Sequence, residues 1–124
     1  MKYSLVALAC GAALALGACG EEGKPTGSVC PQGSTLTWQT FGQQFMTSYC
    51  TDCHSSTKTG AARHGAPAFH DYDTVTGVRA TIAHIDEEAA AGPDAVNTGM
   101  PEDDPKPTEA ERRQLGEWLA CGAP

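Results

Sequence analysis

The chain has 124 residues, with 15 acidic and 8 basic side chains, 14 Gly, 8 Pro and 6 Cys, a size that allows one small domain. Its net charge of −7 excludes the basic surface that supplies most nucleic-acid affinity, so nucleic acid is not an expected partner. Ala makes up much of the 40% hydrophobic content, which leaves few bulky apolar side chains and a core that they fill poorly alone.

A basic start at Lys2, an almost unbroken apolar run from Leu5 to Leu16 and small residues at Gly17-Ala18-Cys19 describe an export signal over residues 1–18. The apolar run is too short to span a bilayer, which takes about 20 residues. Leu16-Gly17-Ala18-Cys19 also resembles the lipobox of bacterial lipoproteins. That resemblance implies cleavage before Cys19, lipidation of its sulfur and a protein anchored to a bacterial membrane, at the outer membrane or facing the periplasm; an ordinary signal peptide is the alternative. Gly20, where a retention signal usually has Asp, points to the outer membrane. Removing Lys2 with the leader reduces the eight basic groups to seven against 15 acidic ones. Residues 19–34, rich in Gly, Pro, Ser and Thr, are expected to form a flexible tether, because little apolar burial is available to offset ordering.

Residues 35–124 are expected to form the folded domain. Trp38, Phe41, Phe45 and Tyr49 recur at spacings of 3, 4 and 4, which predicts a helix from an N-cap at Thr37 to about Cys50. Residues 55–70, with Gly60, Gly65 and Pro67, read as a loop that wraps something without packing itself. Val75, Val78, Ile82 and Ile85 predict a second helix, capped by Asp71 or Asp73 and ending at Gly92-Pro93. Residues 92–107 read as a second long loop that carries Met100. Thr108 and Glu111 form a capping box for a last helix with Leu115, Trp118 and Leu119 on its buried face, ended by Gly122. The expected fold class is all-α, with three main helices and long loops.

Cys50-Thr51-Asp52-Cys53-His54 is the most informative segment. Two thiols three residues apart at a helix end can add across the two vinyl groups of a porphyrin, while the next residue, His54, ligates its iron. This is the spacing of covalent haem c attachment. A redox dithiol would need a strand before it and a helix after it, whereas here the helix comes first. A zinc module using Cys50, Cys53, His64 and His70 would leave His54 idle on an exported chain. A disulfide within the pair would close a strained ring. Cys30 and Cys121 stand just before the first helix and at the end of the last, so packing of those helices would let them bridge; two unpaired thiols are the alternative. Cys10 lies in the leader.

Residues 36–124 resemble a small monohaem cytochrome c: an aromatic-bearing helix leading into Cys50-x-x-Cys53-His54, a loop, a middle helix, a Met in a Gly/Pro loop and a terminal helix with Trp118. The resemblance implies a fold whose first and last helices cross at a small residue and an aromatic, here Gly42 and Trp118, beside one haem that completes the core. It makes His54 the proximal ligand, steadied by a carbonyl near Pro67, and Met100 in Thr98-Gly99-Met100-Pro101 the distal one. His64, His70 and His84 are the rivals of Met100, and Met46 reads as packing.

These features lead to the expectation of an electron-transfer protein, not an enzyme, with no catalytic residue. Its partners would be redox proteins and, through Cys19, the membrane, and a monomer is expected. Asp86, Glu87, Glu88, Glu102, Asp103 and Asp104 would attract a basic partner or simply be solvated. The competing class is a haem-based ligand carrier or sensor with an exchangeable sixth site, which carbon monoxide binding discriminates.

Overall fold

The computed structural model describes residues 23–124. The export signal and Cys19 lie outside the described residues. Within them the fold is helical, with no strand and one isolated antiparallel bridge between Ala91 and Val96. Among the described residues no helix is long and apolar enough to cross a membrane.

Thr37 caps the first helix: its hydroxyl accepts from the Thr40 N–H and the Thr40 hydroxyl accepts from its own. The first turn, Trp38–Gly42, is π-helical and runs directly into α1, Gln43–Tyr49. A 3-10 turn, Gly60–Arg63, interrupts the following loop. The middle helix expected from the Val/Ile spacing is two helices, α2 (Val75–Ala80) and α3 (Ile82–Ala89). The break is at Thr81, whose φ of −136° is outside the helical range and whose N–H reaches only back to Val78. The cap of α2 is Thr74, whose hydroxyl accepts from the Gly77 N–H at 3.1 Å, and neither Asp71 nor Asp73 serves. α3 stops at Ala89, short of Gly92, because Ala90 turns extended.

The last helix, α4 (Glu109–Ala120), begins with the expected capping box: the Thr108 hydroxyl accepts from the Glu111 N–H, and the Glu111 carboxylate accepts from the Thr108 N–H at 2.7 Å. It ends in a Schellman motif: Gly122, at φ +84°, donates to Leu119 O, and Ala123 donates to Trp118 O. Leu115, Trp118 and Leu119 are buried, as their spacing predicts.

The segment expected as a tether is instead laid along the body from its first described residue. Thr26 is fully buried, and its N–H and hydroxyl both donate to the Asp86 carboxylate, at 2.8 and 2.6 Å. Asn97 donates to Lys24 O and Asp86 O and accepts from the Lys24 N–H, while Asp94 N–H donates to Thr26 O. Polar side chains organise this arm, so its lack of apolar residues does not leave it loose. Beyond it Cys30 is bonded to Cys121, with Cα atoms 4.7 Å apart.

The core is one cluster that joins Phe45 and Met46 of α1, Tyr72, Val78, Ile85 and Ala89 to Leu115, Trp118 and Leu119 of α4. Phe41 and Trp38 pack on Trp118 at ring-centroid distances of 5.9 and 6.2 Å. Gly42 lies under the same indole, so that a Cβ built there would overlap three of its ring atoms. Gly42→Leu is therefore expected to overpack the contact between the first and last helices and to cost about 2 kcal/mol or more, read by urea unfolding. A variant as stable as the parent would show that the two helices separate without penalty.

Candidate functional site

α1 delivers Cys50 to its C-terminal end. The Cys50 N–H closes the last helical turn on Met46 O at 2.9 Å, and the chain then tightens, with Cys53 and His54 both donating to Cys50 O, at 3.2 and 2.8 Å. Both thiols are free. Burial, against an opposing pull from the Arg112 guanidinium, pushes the Cys50 thiol up to about 12. Burial, and then the neighbouring Asp52 carboxylate, also raises Cys53. These are neutral thiols at physiological pH. A reactive redox dithiol has the opposite character, with one thiol held low.

His54 is set by three ties to residues 70–73. Its Nδ1 donates to His70 O at 3.2 Å, its carbonyl accepts from the Tyr72 N–H at 2.9 Å, and Asp73 accepts from the Ser56 N–H next along the chain at 3.0 Å. The imidazole stacks on Tyr72 at 4.6 Å. With Nδ1–H on a carbonyl, Nε2 carries the lone pair and is the nitrogen able to ligate. Burial, ahead of the His70 carbonyl that acts the other way, lowers the His54 pKa below the ordinary imidazole value, so the ring is neutral at neutral pH.

The orienting carbonyl belongs to His70 and not to Pro67, where the resemblance puts it. Pro67 O is taken by Arg63 Nη2 at 2.7 Å. Arg63, a residue the sequence does not single out, is buried among the carbonyls of its own loop. It donates to Ser55, Lys58, Ala66, Pro67 and His70 and pairs with Asp71 at 2.8 Å. The loop expected to wrap something without packing itself is packed, around a guanidinium. The only sequence signal is an Arg in a Gly-rich stretch followed by Asp71.

Met100 lies in the loop that precedes α4. It is partly buried and packs, like Cys50, against the core cluster that contains Tyr72, the ring on which His54 stacks. Its N–H donates to Glu88 O at 2.8 Å, and its carbonyl accepts from Arg112 Nη1 at 2.7 Å. Met46 is fully buried as packing.

Among the histidines weighed against Met100, His64 and His84 are exposed, and the His70 ring stacks on His54 at 6.1 Å and meets His84 at 4.9 Å with the rings tilted by 60°. Buried His70 Nδ1 has no hydrogen-bond partner. Among the described residues no group of three or more His, Cys, Asp or Glu side chains is placed to hold a metal ion, so Cys50, Cys53, His64 and His70 do not converge. Of the six acidic residues noted for a partner, Asp86 is turned inward to Thr26, whereas Glu102, Asp103 and Asp104 are exposed.

The donor set is thus two neutral thiols one helical turn apart, an imidazole with its far nitrogen occupied and a thioether on the same core. These residues fit a haem c: thiols for two thioether bonds, and a nitrogen and a sulfur for two axial positions. No protein-family model, curated protein or solved structure matches the chain.

Proposed function

We propose that residues 35–124 are a cytochrome c-like domain that carries one haem c and transfers single electrons, held at a bacterial membrane by a lipidated Cys19. The observation that carries this reading is Cys50-x-x-Cys53-His54 at the C-terminal end of α1, with His54 Nδ1 on the His70 carbonyl. The haem supplies a one-electron iron couple when bound. Cys50 and Cys53 fix it to the chain, His54 presents Nε2, and the His70 carbonyl holds that ring in one tautomer. Met100 offers a soft, neutral sulfur, which favours the ferrous state over the ferric. Phe45, Met46, Tyr72 and Leu115 exclude water from the ligand side of the core. Were His54 and Met100 both to hold the iron, no place would be left on it for a substrate, and the exposed Glu102, Asp103 and Asp104 offer a negative surface to a basic redox protein.

The test is the visible spectrum and intact mass of the protein made in a host that attaches haem. The expected protein is coloured, carries one covalent tetrapyrrole, and shows a weak ferric sulfur-to-iron band that Met100→Ala abolishes. Its ferrous form is expected to bind carbon monoxide slowly. A colourless protein without added mass overturns the reading. Rapid, complete carbon monoxide capture by the parent would replace electron transfer with a ligand-binding role.

A further inference from the structure

Arg112 is buried, at 3% exposure, without a carboxylate. The ion pairs among the described residues are Lys58–Asp52, Arg63–Asp71 and Arg113–Glu109, and Arg112 is in none of them. Its Nη1 instead donates to three backbone carbonyls, Ala89 and Met100 at 2.7 Å and Asn97 at 2.9 Å. Removing a guanidinium from water costs several kcal/mol, and here carbonyl dipoles rather than a carboxylate offset that cost. All three carbonyls lie on the segment that leads from α3 to Met100. The Met100 peptide is therefore held at both ends, its N–H by Glu88 O of α3 and its C=O by Arg112 of α4. The cation therefore lies against the backbone of the residue proposed as the distal ligand.

We propose that Arg112 is a positioning residue for the distal ligand and an electrostatic determinant of the reduction potential. It clamps the 89–100 segment so that Met100 keeps its place, and its buried cation disfavours the additional positive charge of oxidised iron. This rests on the haem reading above. The clamp and the charge are separable, because Lys and Gln are both too short to put a donor where Arg112 Nη1 sits, and of the two only Lys keeps the charge.

The experiment compares haem-loaded parent, Arg112→Gln and Arg112→Lys by redox titration and by carbon monoxide capture in the ferrous state. Arg112→Gln is expected to shift the ferrous-to-ferric ratio at a fixed potential by about tenfold toward ferric, equivalent to about 59 mV for one electron. Arg112→Lys is expected to hold that ratio close to the parent value. In both variants the donor that Arg112 Nη1 gives to the Met100 carbonyl is lost, and both are expected to capture carbon monoxide about tenfold faster or more, the loss of one charge-assisted hydrogen bond. A purely structural arginine would lower stability in both variants without a charge-dependent potential. Equal potentials in the parent and Arg112→Gln overturn the electrostatic role, and parent-like carbon monoxide capture in Arg112→Lys overturns the clamp. A parent that is coloured and loses its sulfur band in Met100→Ala keeps the haem reading standing through either result, whereas a colourless parent overturns that reading and this inference with it.

Discussion

Replacing Cys30 and Cys121 together by Ala is expected to lower the unfolding free energy by about 4 kcal/mol. The bond joins residues 91 apart, and closing a loop of that length removes a large share of the unfolded chain's freedom, worth about 4 to 5 kcal/mol on the chain-entropy account. Against a total stability of about 5–15 kcal/mol this is about a quarter or more of what holds the domain together. Its position increases the consequence. Cys30 ends the arm that Thr26 pins to Asp86, and Cys121 caps α4 three residues after the buried Trp118, so the bond ties the arm to the end of the last helix. Reversible urea unfolding of the double variant, and of the parent with reductant, checks this. The two curves are expected to coincide, because Cys30–Cys121 is the disulfide that reductant opens among the described residues. A loss below about 1 kcal/mol would assign the arm's attachment to the hydrogen bonds of Thr26 and Asn97 instead.

The parts of this fold that were legible in the sequence are those built from apolar spacing and from caps. Trp38, Phe41, Phe45 and Tyr49 give the first helix, and Leu115, Trp118 and Leu119 the last, because a repeating apolar face is itself a statement about burial. The capping boxes and the Gly122 stop are equally local. The parts that were not legible are held by polar side chains on distant carbonyls. Thr26 on Asp86, Asn97 on Lys24, Arg63 on its loop and Arg112 on residues 89–100 leave no periodicity, and a stretch of Gly, Pro, Ser and Thr reads the same whether such a bond exists or not. The shift of the carbonyl that holds His54 from Pro67 to His70 belongs with these: Arg63 Nη2 draws both carbonyls to itself, and no local pattern says which of them faces the imidazole. The Cys50, Cys53 and His54 spacing was legible because its chemistry is local, and Met100 stood out through the resemblance, but the carbonyl and guanidinium that hold its peptide did not, since they depend on the path of a loop.

Arg63→Gln is expected to cost about 3 kcal/mol or more, and the reason bears directly on His54. The guanidinium is nearly buried, with its side chain 10% exposed, and it satisfies five carbonyls besides Asp71. Gln reaches one or two of these, so the others lose a charge-assisted donor in a place with little access to water. Removing one member of a buried ion pair costs about 3–5 kcal/mol in comparable settings. Here Asp71 is 30% exposed and is partly relieved by solvent, so the greater part of the loss comes from the carbonyls. That division is testable. Asp71→Asn, which breaks only the ion pair, is expected to cost about 1 kcal/mol, well below Arg63→Gln in the same urea unfolding series. The consequence at the site follows through one oxygen: His70 O accepts from Arg63 Nη2 and from His54 Nδ1, each at 3.2 Å, so losing the arginine frees that carbonyl to move and with it the ring it orients. Equal costs for the two variants would mean that the carbonyl clamp carries no stability, and that the loop beneath His54 is set by the Arg63–Asp71 pair alone.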